Sequence, residues 1–186
     1  MSTLTTTTIP GYIAGTWDLD PSHSEVGFSV RHLMVSKVRG RFNSFTGELV
    51  TAANPLESTV TATIDLNSIV TGDEGRDNHL RSADFFDVAN HPTMTYRSTA
   101  VRQDGDHYVV DGELSLHGVT RQVPLKVELN GFIESPMGTR VGFSATAEIS
   151  RKDFGIDINM PLEGGGVVVG DKVTVTLEIE ALLRTA

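Results

Sequence analysis

Apolar and polar residues alternate with a period of two through most of this 186-residue chain. Between Ser24 and His32, for example, Val26, Phe28 and Val30 fall on one side of an extended backbone. Alternation of this kind is typical of strands that bury one face and expose the other. The sequence therefore predicts an all-β, almost entirely antiparallel protein with long strands.

Short turn signals separate the predicted strands from one another. Asp104-Gly105, Gly118 and Pro136-Met137-Gly138 are typical of hairpin turns. The alternation changes phase at Asn43-Ser44, where we expect a bulge or a sharp bend. Residues 151–172 are rich in glycine and are expected to form a long loop before the last strand.

A closed barrel and a two-sheet sandwich both fit this pattern. Strand length favours the barrel, because many sandwich strands have only about five or six residues. Small residues at inward positions leave two alternatives open: they border a cavity, or they relieve crowding where strands bend at barrel corners. These positions are Gly40, Gly47, Ala62, Ser98, Ala100, Gly112, Ala145 and Ala147.

The segment from Asp65 to Asp87 interrupts the alternation. Thr71 is followed three residues later by Glu74, a capping-box spacing that predicts the start of a helix. A second helical turn is expected at residues 82–86, which end in two adjacent phenylalanines. We interpret the segment as a short, polar, helical insertion that lies over one end of the barrel.

Composition and charge narrow the class of protein. The formal net charge is −9 and there are no cysteines, which argues against nucleic-acid partners and thiolate metal sites. No apolar run is long enough to span a membrane, and Met1–Pro10 lacks the features of a signal peptide. We therefore expect a flexible leader over residues 1–15, one domain over residues 16–186 and a cytoplasmic location.

The sequence shows no recognisable catalytic constellation. There is no Gly-x-Ser-x-Gly motif, and no two histidines have the short spacing of a zinc-binding helix. The sequence therefore predicts no catalytic residue, no metal site and no cofactor. The scattered histidines are His23, His32, His79, His91, His107 and His117.

A series of short motifs follows a fixed order between residues 16 and 182. The motifs are Trp17-Asp-Leu-Asp20 with His23-Ser24, Phe28-Ser-Val-Arg-His32, Val38-Arg-Gly-Arg-Phe42, Ile64-Asp-Leu-Asn-Ser-Ile69, Arg76-Asp77, Leu80-Arg81-Ser82, Asp84-Phe-Phe-Asp87, His91-Pro92, Gly112-Glu-Leu-Ser-Leu-His-Gly-Val-Thr120 and Ser150-Arg-Lys-Asp-Phe-Gly155. Such a long ordered set is far more specific than any single motif in the chain, and it resembles the YceI family.

The resemblance implies a lipocalin-like antiparallel barrel of about eight strands that binds a long polyisoprenoid lipid in its lumen. A polyprenyl diphosphate or an isoprenoid quinone would be such a ligand, held for transport, storage or sequestration. The resemblance also implies a bacterial, stress-linked binding protein, with a homodimer as an alternative to a monomer. The competing interpretation is an enzyme that acts on a small apolar or amphiphilic substrate in the same cavity, using His32 and inward hydroxyl groups.

The predicted ligand contacts combine the inward apolar faces with this resemblance. The expected lumen wall is Phe28, Val30, His32, Phe42, Phe45, Ile64, Leu80, Phe85, Phe86, Met94, Tyr96, Leu114, Phe143, Ala145 and Phe154. A diphosphate or quinone head group needs cationic or polar groups at the mouth. The candidates for that contact are Arg76, His79, Arg81 and Arg151.

Each polar candidate also has a purely structural interpretation. His32 has inward parity and could equally be a core histidine bonded to a neighbouring backbone or hydroxyl group. Arg76 and Asp77 are expected to pair and fix the insertion to the barrel, an interpretation favoured over head-group contact. Arg151 and Asp153 could hold the last loop in the same way.

Overall fold

The computed structural model describes residues 9–33, 35–157 and 169–185. Over these residues all strand pairings are antiparallel, which confirms the predicted class. The elements in these ranges are β1 Gly15–Leu19, β2 Glu25–His32, β3 Ser36–Phe42, β4 Phe45–Thr51, β5 Thr59–Asp65, β6 Ile69–Val70, α1 Glu74–Arg81, β7 Thr93–Asp104, β8 His107–Leu116, β9 Val119–Gln122, β10 Leu125–Ser135, β11 Gly138–Ser150 and β12 Val169–Leu183.

Eight of these strands close into a ring. The hydrogen-bonded order is β1-β4-β5-β7-β8-β10-β11-β12, and β12 returns to β1, where Trp17 pairs with Leu183. The strands β2, β3 and β6 continue the wall from β12, and β9 pairs with β8. A closed ring leaves no unpaired strand edge within it, so the barrel and not the sandwich is the correct alternative.

The connections follow the predicted turns. The chain bends at Asn43 between β3, which pairs with β2, and β4, which pairs with β1 and β5. Tight hairpins join β7 to β8, β8 to β9 and β10 to β11, at the three predicted turn positions. Gly105 and Gly118 have positive φ angles of 60° and 75°, which side-chain-bearing residues adopt at a cost.

A bulge in β7 corrects the predicted inward position of Ala100. The pairing of β7 with β8 shifts register between Ser98 and Ala100. Because an extra residue flips the parity of everything after it, Ala100 is exposed and Val101 faces inward instead.

Packed structure extends into both the predicted leader and the predicted last loop. Residues 1–8 of the predicted leader lie outside the described residues, but Tyr12 already packs on the barrel, 5.4 Å from the ring of Phe132. The packed part therefore begins before residue 16. Residues 158–168, half of the predicted 151–172 loop, lie outside the described residues, and β12 already begins at Val169.

The insertion contains the predicted helix with a different cap. The N-cap of α1 is Asp73, whose side chain accepts a 2.9 Å hydrogen bond from the backbone of Arg76. Thr71 instead donates its hydroxyl and backbone N–H groups to Asp77. Residues 82–86 form hydrogen-bonded turns and not a second helix. No helix in the described part of the chain has the length and apolarity needed to cross a bilayer.

Candidate ligand-binding cavity

The barrel encloses a cavity of about 320 Å³. Its volume lies at the lower end of the roughly 300–1,000 Å³ that is typical of ligand pockets. The wall comes from inward faces around the ring and from β2 and β3, and it is almost entirely aliphatic and aromatic. Arg151 is the one residue with a formal charge among the described residues that line it.

Inward glycines allow aromatic rings to lie against the wall. A Cβ atom at Gly40 would collide with the ring of Phe28, and one at Gly112 would collide with the ring of Tyr96. These glycines therefore relieve crowding, as one of the two alternatives predicted. Both rings line the cavity, so the glycines shape it without bordering it themselves.

Two of the inward alanines fit the other alternative, in which small residues border a cavity. Ala62 and Ala147 border the cavity, where larger side chains would fill it. The small residues of the barrel thus serve both purposes, at different positions.

Most of the predicted wall residues line this cavity. They contribute its aromatic and large aliphatic surface on β2, β3, β4, β5, β7, β8 and β11 and on the insertion. These residues are Phe28, Val30, Phe42, Phe45, Ile64, Leu80, Phe85, Phe86, Met94, Tyr96, Leu114 and Phe143.

Three predicted wall residues do not line it. His32, the last residue of β2, is not part of the lining, although its cross-strand partner Val169 is. Ala145 is buried between Val127 and Leu177, its partners on the two neighbouring strands, whose larger side chains line the cavity on either side. Phe154 is only 1% exposed and packs into the core from the turn that follows β11.

The sequence did not predict two aromatic residues of the wall. Phe132 lines the cavity because a bulge between Leu129 and Gly131 changes the parity of β10. Tyr12 precedes the first strand and lies where a mobile leader was expected. Neither position carries a local signal, since the bulge and the packing depend on strands that are distant in sequence.

The arginines of the insertion stabilise its own backbone. Arg76 donates from Nε to the hydroxyl of Thr71 at 2.8 Å and from Nη2 to its carbonyl oxygen at 2.6 Å. Arg81 donates to the carbonyl oxygens of Asn67 and Ile69, each at 3.0 Å. Arg76 therefore meets Asp77 only through their common partner Thr71, where a direct pair was expected.

His79 has a similar local role. Its Nε2 atom lies 2.9 Å from a carboxylate oxygen of Asp84, and its ring packs edge-on against Phe85 at 5.0 Å. Neither this histidine nor the two arginines of α1 are among the cavity-lining residues. The structure thus places three of the four predicted head-group residues away from the wall.

Arg151 is the fourth predicted head-group residue, and it lines the cavity. It is 6% exposed, and its guanidinium donates to the carbonyl oxygens of Gly170 at 2.9 Å, Ile156 at 2.8 Å and Val169 at 3.1 Å. Backbone carbonyls, and not Asp153, therefore hold it in place. These bonds fix a positive charge at one end of an apolar chamber, where low dielectric strengthens its field.

The other polar groups of the wall are already engaged or uncharged. The hydroxyl of Tyr96 donates to the carbonyl oxygen of Val123 at 2.8 Å, and burial, with the charge of Asp111 adding to it, raises the pKa of Tyr96 far above its usual value. No histidine, cysteine, lysine or carboxylate occurs among the described lining residues. The cavity can therefore solvate an apolar chain, with one cation at its end.

This arrangement defines the class of the protein as a lipocalin-like ligand-binding barrel. The family model of the YceI-like domain matches residues 17–181, and the chain belongs to this family. A UPF0312 protein of Pectobacterium atrosepticum is 40% identical over 146 residues, which cover 77% of this chain and 76% of the relative.

Two solved structures share the fold. The crystal structure of BcnA from Burkholderia cenocepacia superposes with a TM-score of 0.75 at 21% identity and covers 87% of this chain and 98% of its own. A polyisoprenoid binding domain from Saccharophagus degradans, implicated in plant cell wall breakdown, gives a TM-score of 0.64 at 20% identity. That match covers 92% of this chain and all of the other, so the whole barrel is shared.

Proposed function

We propose that this protein binds a long-chain polyisoprenoid lipid in the cavity and transports, stores or sequesters it unchanged. The observation that carries the proposal is a wall of aliphatic and aromatic side chains with a single charged residue, Arg151, among those described. Each buried methylene group of a ligand contributes about 0.8 kcal/mol, so a long apolar tail supplies most of the affinity.

The comparisons support the same class of ligand. Membership of the YceI-like family and the apolar wall together favour a lipid. The Saccharophagus degradans neighbour is described as a polyisoprenoid binding domain, and at its low identity it adds the shared barrel and no more.

The wall also favours binding over catalysis. Acyl transfer or hydrolysis needs a nucleophile, a base and a group that orients the base within hydrogen-bond reach. His32, on which the enzyme alternative depended, is not part of the lining, and the hydroxyl of Tyr96 is held by a carbonyl oxygen. The described lining thus offers no nucleophile and base for acyl transfer or hydrolysis, which supports a binding role.

Arg151 is our candidate for contact with the head group. Three of its five N–H donors account for the carbonyl contacts, and the described residues give it no carboxylate partner. An anionic diphosphate or a quinone carbonyl at this end of the cavity would meet a fixed cation. A tail would then extend along the apolar side chains with which β11 and β12 line the cavity.

The test uses delipidated protein with two probes that differ only in the head group, geranylgeranyl diphosphate and geranylgeraniol. We expect both to bind one-to-one by native mass spectrometry, with the diphosphate bound more tightly. The change Arg151→Gln should abolish the preference for the diphosphate and keep binding of the alcohol. Arg102→Gln, which removes an exposed outer-face cation paired with Asp111, is the matched control and should change neither.

Each outcome bears on one part of the proposal. If neither probe binds, the lipid function is wrong. If chromatography after long incubation shows a converted lipid, the protein is an enzyme and not a carrier. An undiminished preference in the Arg151 variant assigns the head group to another region. The same mass spectra weigh the intact assembly, and they therefore distinguish the monomer from the homodimer that the family resemblance offers as an alternative.

A further inference from the structure

Two histidines and one carboxylate meet outside the cavity lining. Asp87, His91 and His117 each offer a ligand atom, and these atoms lie within 4.8 Å of one another in a half-buried setting. They come from the end of the insertion, the loop before β7 and the β8–β9 hairpin. Asp87 and His91 are four residues apart, and the antiparallel pairing of β7 with β8 brings His117 to them.

The local backbone fixes two of the three residues. Asp87 and His117 both have positive φ angles, 50° and 56°, in the left-handed region that few side-chain-bearing residues adopt. The side-chain amide of Asn90 donates to both carboxylate oxygens of Asp87, at 3.2 and 2.9 Å. The carboxylate is therefore oriented before any ion arrives.

The two imidazole rings are oriented as well. Nδ1 of His117 is 3.0 Å from the carbonyl oxygen of Phe154, which leaves its Nε2 atom for a ligand. Histidines that bind metals usually donate their other ring N–H group to such an acceptor. The ring of His91 lies 5.1 Å from that of His117, above Gly118, where an added Cβ would come within 3.0 Å of it.

A second cluster of histidine and carboxylate groups in the same barrel differs because an arginine lies beside it. Asp20, His23 and Glu180 are equally close together, but Nη1 of Arg140 lies 2.9 Å from Asp20 and 3.2 Å from Glu180. A protein cation is therefore already paired with both carboxylates. Asp87 has no lysine or arginine partner among the described residues, so its charge is available to an ion.

We propose that Asp87, His91 and His117 bind a divalent first-row transition metal ion, with Zn²⁺ as the best match. Two imidazoles and one carboxylate are ligands that Zn²⁺ prefers, and a water molecule would complete a tetrahedral site. Because Asp87 directly follows Phe86, the bound ion would tie the insertion to the β8–β9 hairpin.

The experiment is a titration of tag-free, chelator-treated protein with Zn²⁺ in isothermal calorimetry. We expect one ion per chain and a rise in Tm when the ion is added. Asp87→Asn and His117→Asn replace a ligand with a residue that tolerates positive φ, and His91→Gln completes the set. Each change should weaken Zn²⁺ binding at least about tenfold, since even outer-shell partners are worth that much.

His23→Gln in the Arg140-linked cluster is the matched control and should leave the Zn²⁺ affinity unchanged. Cobalt(II) gives an independent readout, because nitrogen and oxygen ligands produce visible ligand-field absorption that the three ligand variants should lose. The proposal is overturned if the wild type takes up no stoichiometric Zn²⁺. It is equally overturned if Asp87→Asn and His117→Asn bind the ion as tightly as the wild type.

Discussion

The two ends of the barrel are closed in different ways. At one end, where β1 meets β12, Trp17 is completely buried and donates its indole N–H group to Thr51, 34 residues away, at 2.8 Å. Thr51 in turn donates to the carbonyl oxygen of Ile13 at 2.7 Å. Phe132 packs against the indole at 5.6 Å. These contacts join strands that are distant in sequence, so we call this the closure end.

The opposite end is covered by the insertion, and we call it the lid end. Its polar contacts are mostly local: Arg76 reaches Thr71 five residues away, and His79 reaches Asp84 five residues away. Phe85 is 8% exposed, and the ring of Phe86 lies 6.1 Å from that of Phe42 on the wall. Aromatic contacts thus attach a locally stabilised segment to the barrel.

The difference concerns which end can open on its own. Contacts between distant strands are lost only when the barrel unfolds, whereas a locally hydrogen-bonded segment can detach as a unit. We therefore expect ligands to pass through the lid end while the closure end stays intact.

The largest effect is expected for Trp17→Ala at the closure end. Removing a large buried aromatic residue costs about 3–5 kcal/mol, and here it also leaves Thr51 without its donor. Urea denaturation should show this loss in the free energy of unfolding, with protection from hydrogen exchange reduced in all strands. Trp17→Phe, which keeps a ring, should lose much less. A loss confined to residues near Trp17 would contradict a global role.

The next effect separates two neighbouring alanines of β11. Ala145 is enclosed between larger side chains, whereas Ala147 borders the cavity. Ala145→Phe should therefore destabilise the fold by about 1–3 kcal/mol through overpacking. Ala147→Phe should leave the unfolding midpoint nearly unchanged and weaken binding of geranylgeraniol. Equal destabilisation by both changes would mean that Ala147 also lies in a filled core.

Sequence reasoning succeeded where local pattern decides the structure. Period-two alternation placed Phe28, Phe42 and Leu114 on the inner face, and these residues line the cavity. It failed where one extra residue reverses parity, as it does between Ser98 and Ala100. A bulge depends on pairing with another strand, so no local signal announces it.

The binding site was harder to predict than the fold, because the contacts of each side chain decide its role and the sequence does not show them. Charge alone made Arg76 and Arg81 look like head-group contacts, but each satisfies backbone carbonyls of its own segment. Arg151 has the same kind of carbonyl partners and differs only in facing the cavity. That orientation depends on hydrogen bonds from Arg151 to Gly170 and Val169 of β12, which no local sequence pattern specifies.

A moderate effect is expected at the lid end. Replacing Phe85 and Phe86 together with alanine removes the aromatic contacts with the wall. We expect release of bound geranylgeraniol to quicken about tenfold, equivalent to roughly 1.4 kcal/mol. Hydrogen exchange should accelerate mainly in residues 71–90. Unchanged release with uniform loss of protection in every strand would show that the segment is a structural plug.

The smallest effect is expected for acidification at the closure end. Hydrogen bonds from Ser22, Arg140 and His23 hold the pKa of Asp20 well below its usual value. A carboxyl group with a lowered folded pKa stabilises the protein above its unfolded pKa of about 3.9, and this contribution disappears as the pH falls through the folded pKa. Asp20→Asn should therefore lower the Tm by about 2–4 °C at neutral pH, with the gap narrowing in acid.

Asp111→Asn provides the matched comparison for this effect. Its exposed pairing with Arg102 also lowers the pKa of Asp111, but solvent screens such surface pairs. We expect a smaller change in Tm than for Asp20→Asn, since the carboxylate of Asp20 lies beside the β1–β12 junction that closes the ring. Calorimetric scans of both variants across the acid range measure this difference in Tm. If the two variants behave alike, the Asp20–Arg140 contact is an ordinary surface pair and adds nothing to ring closure.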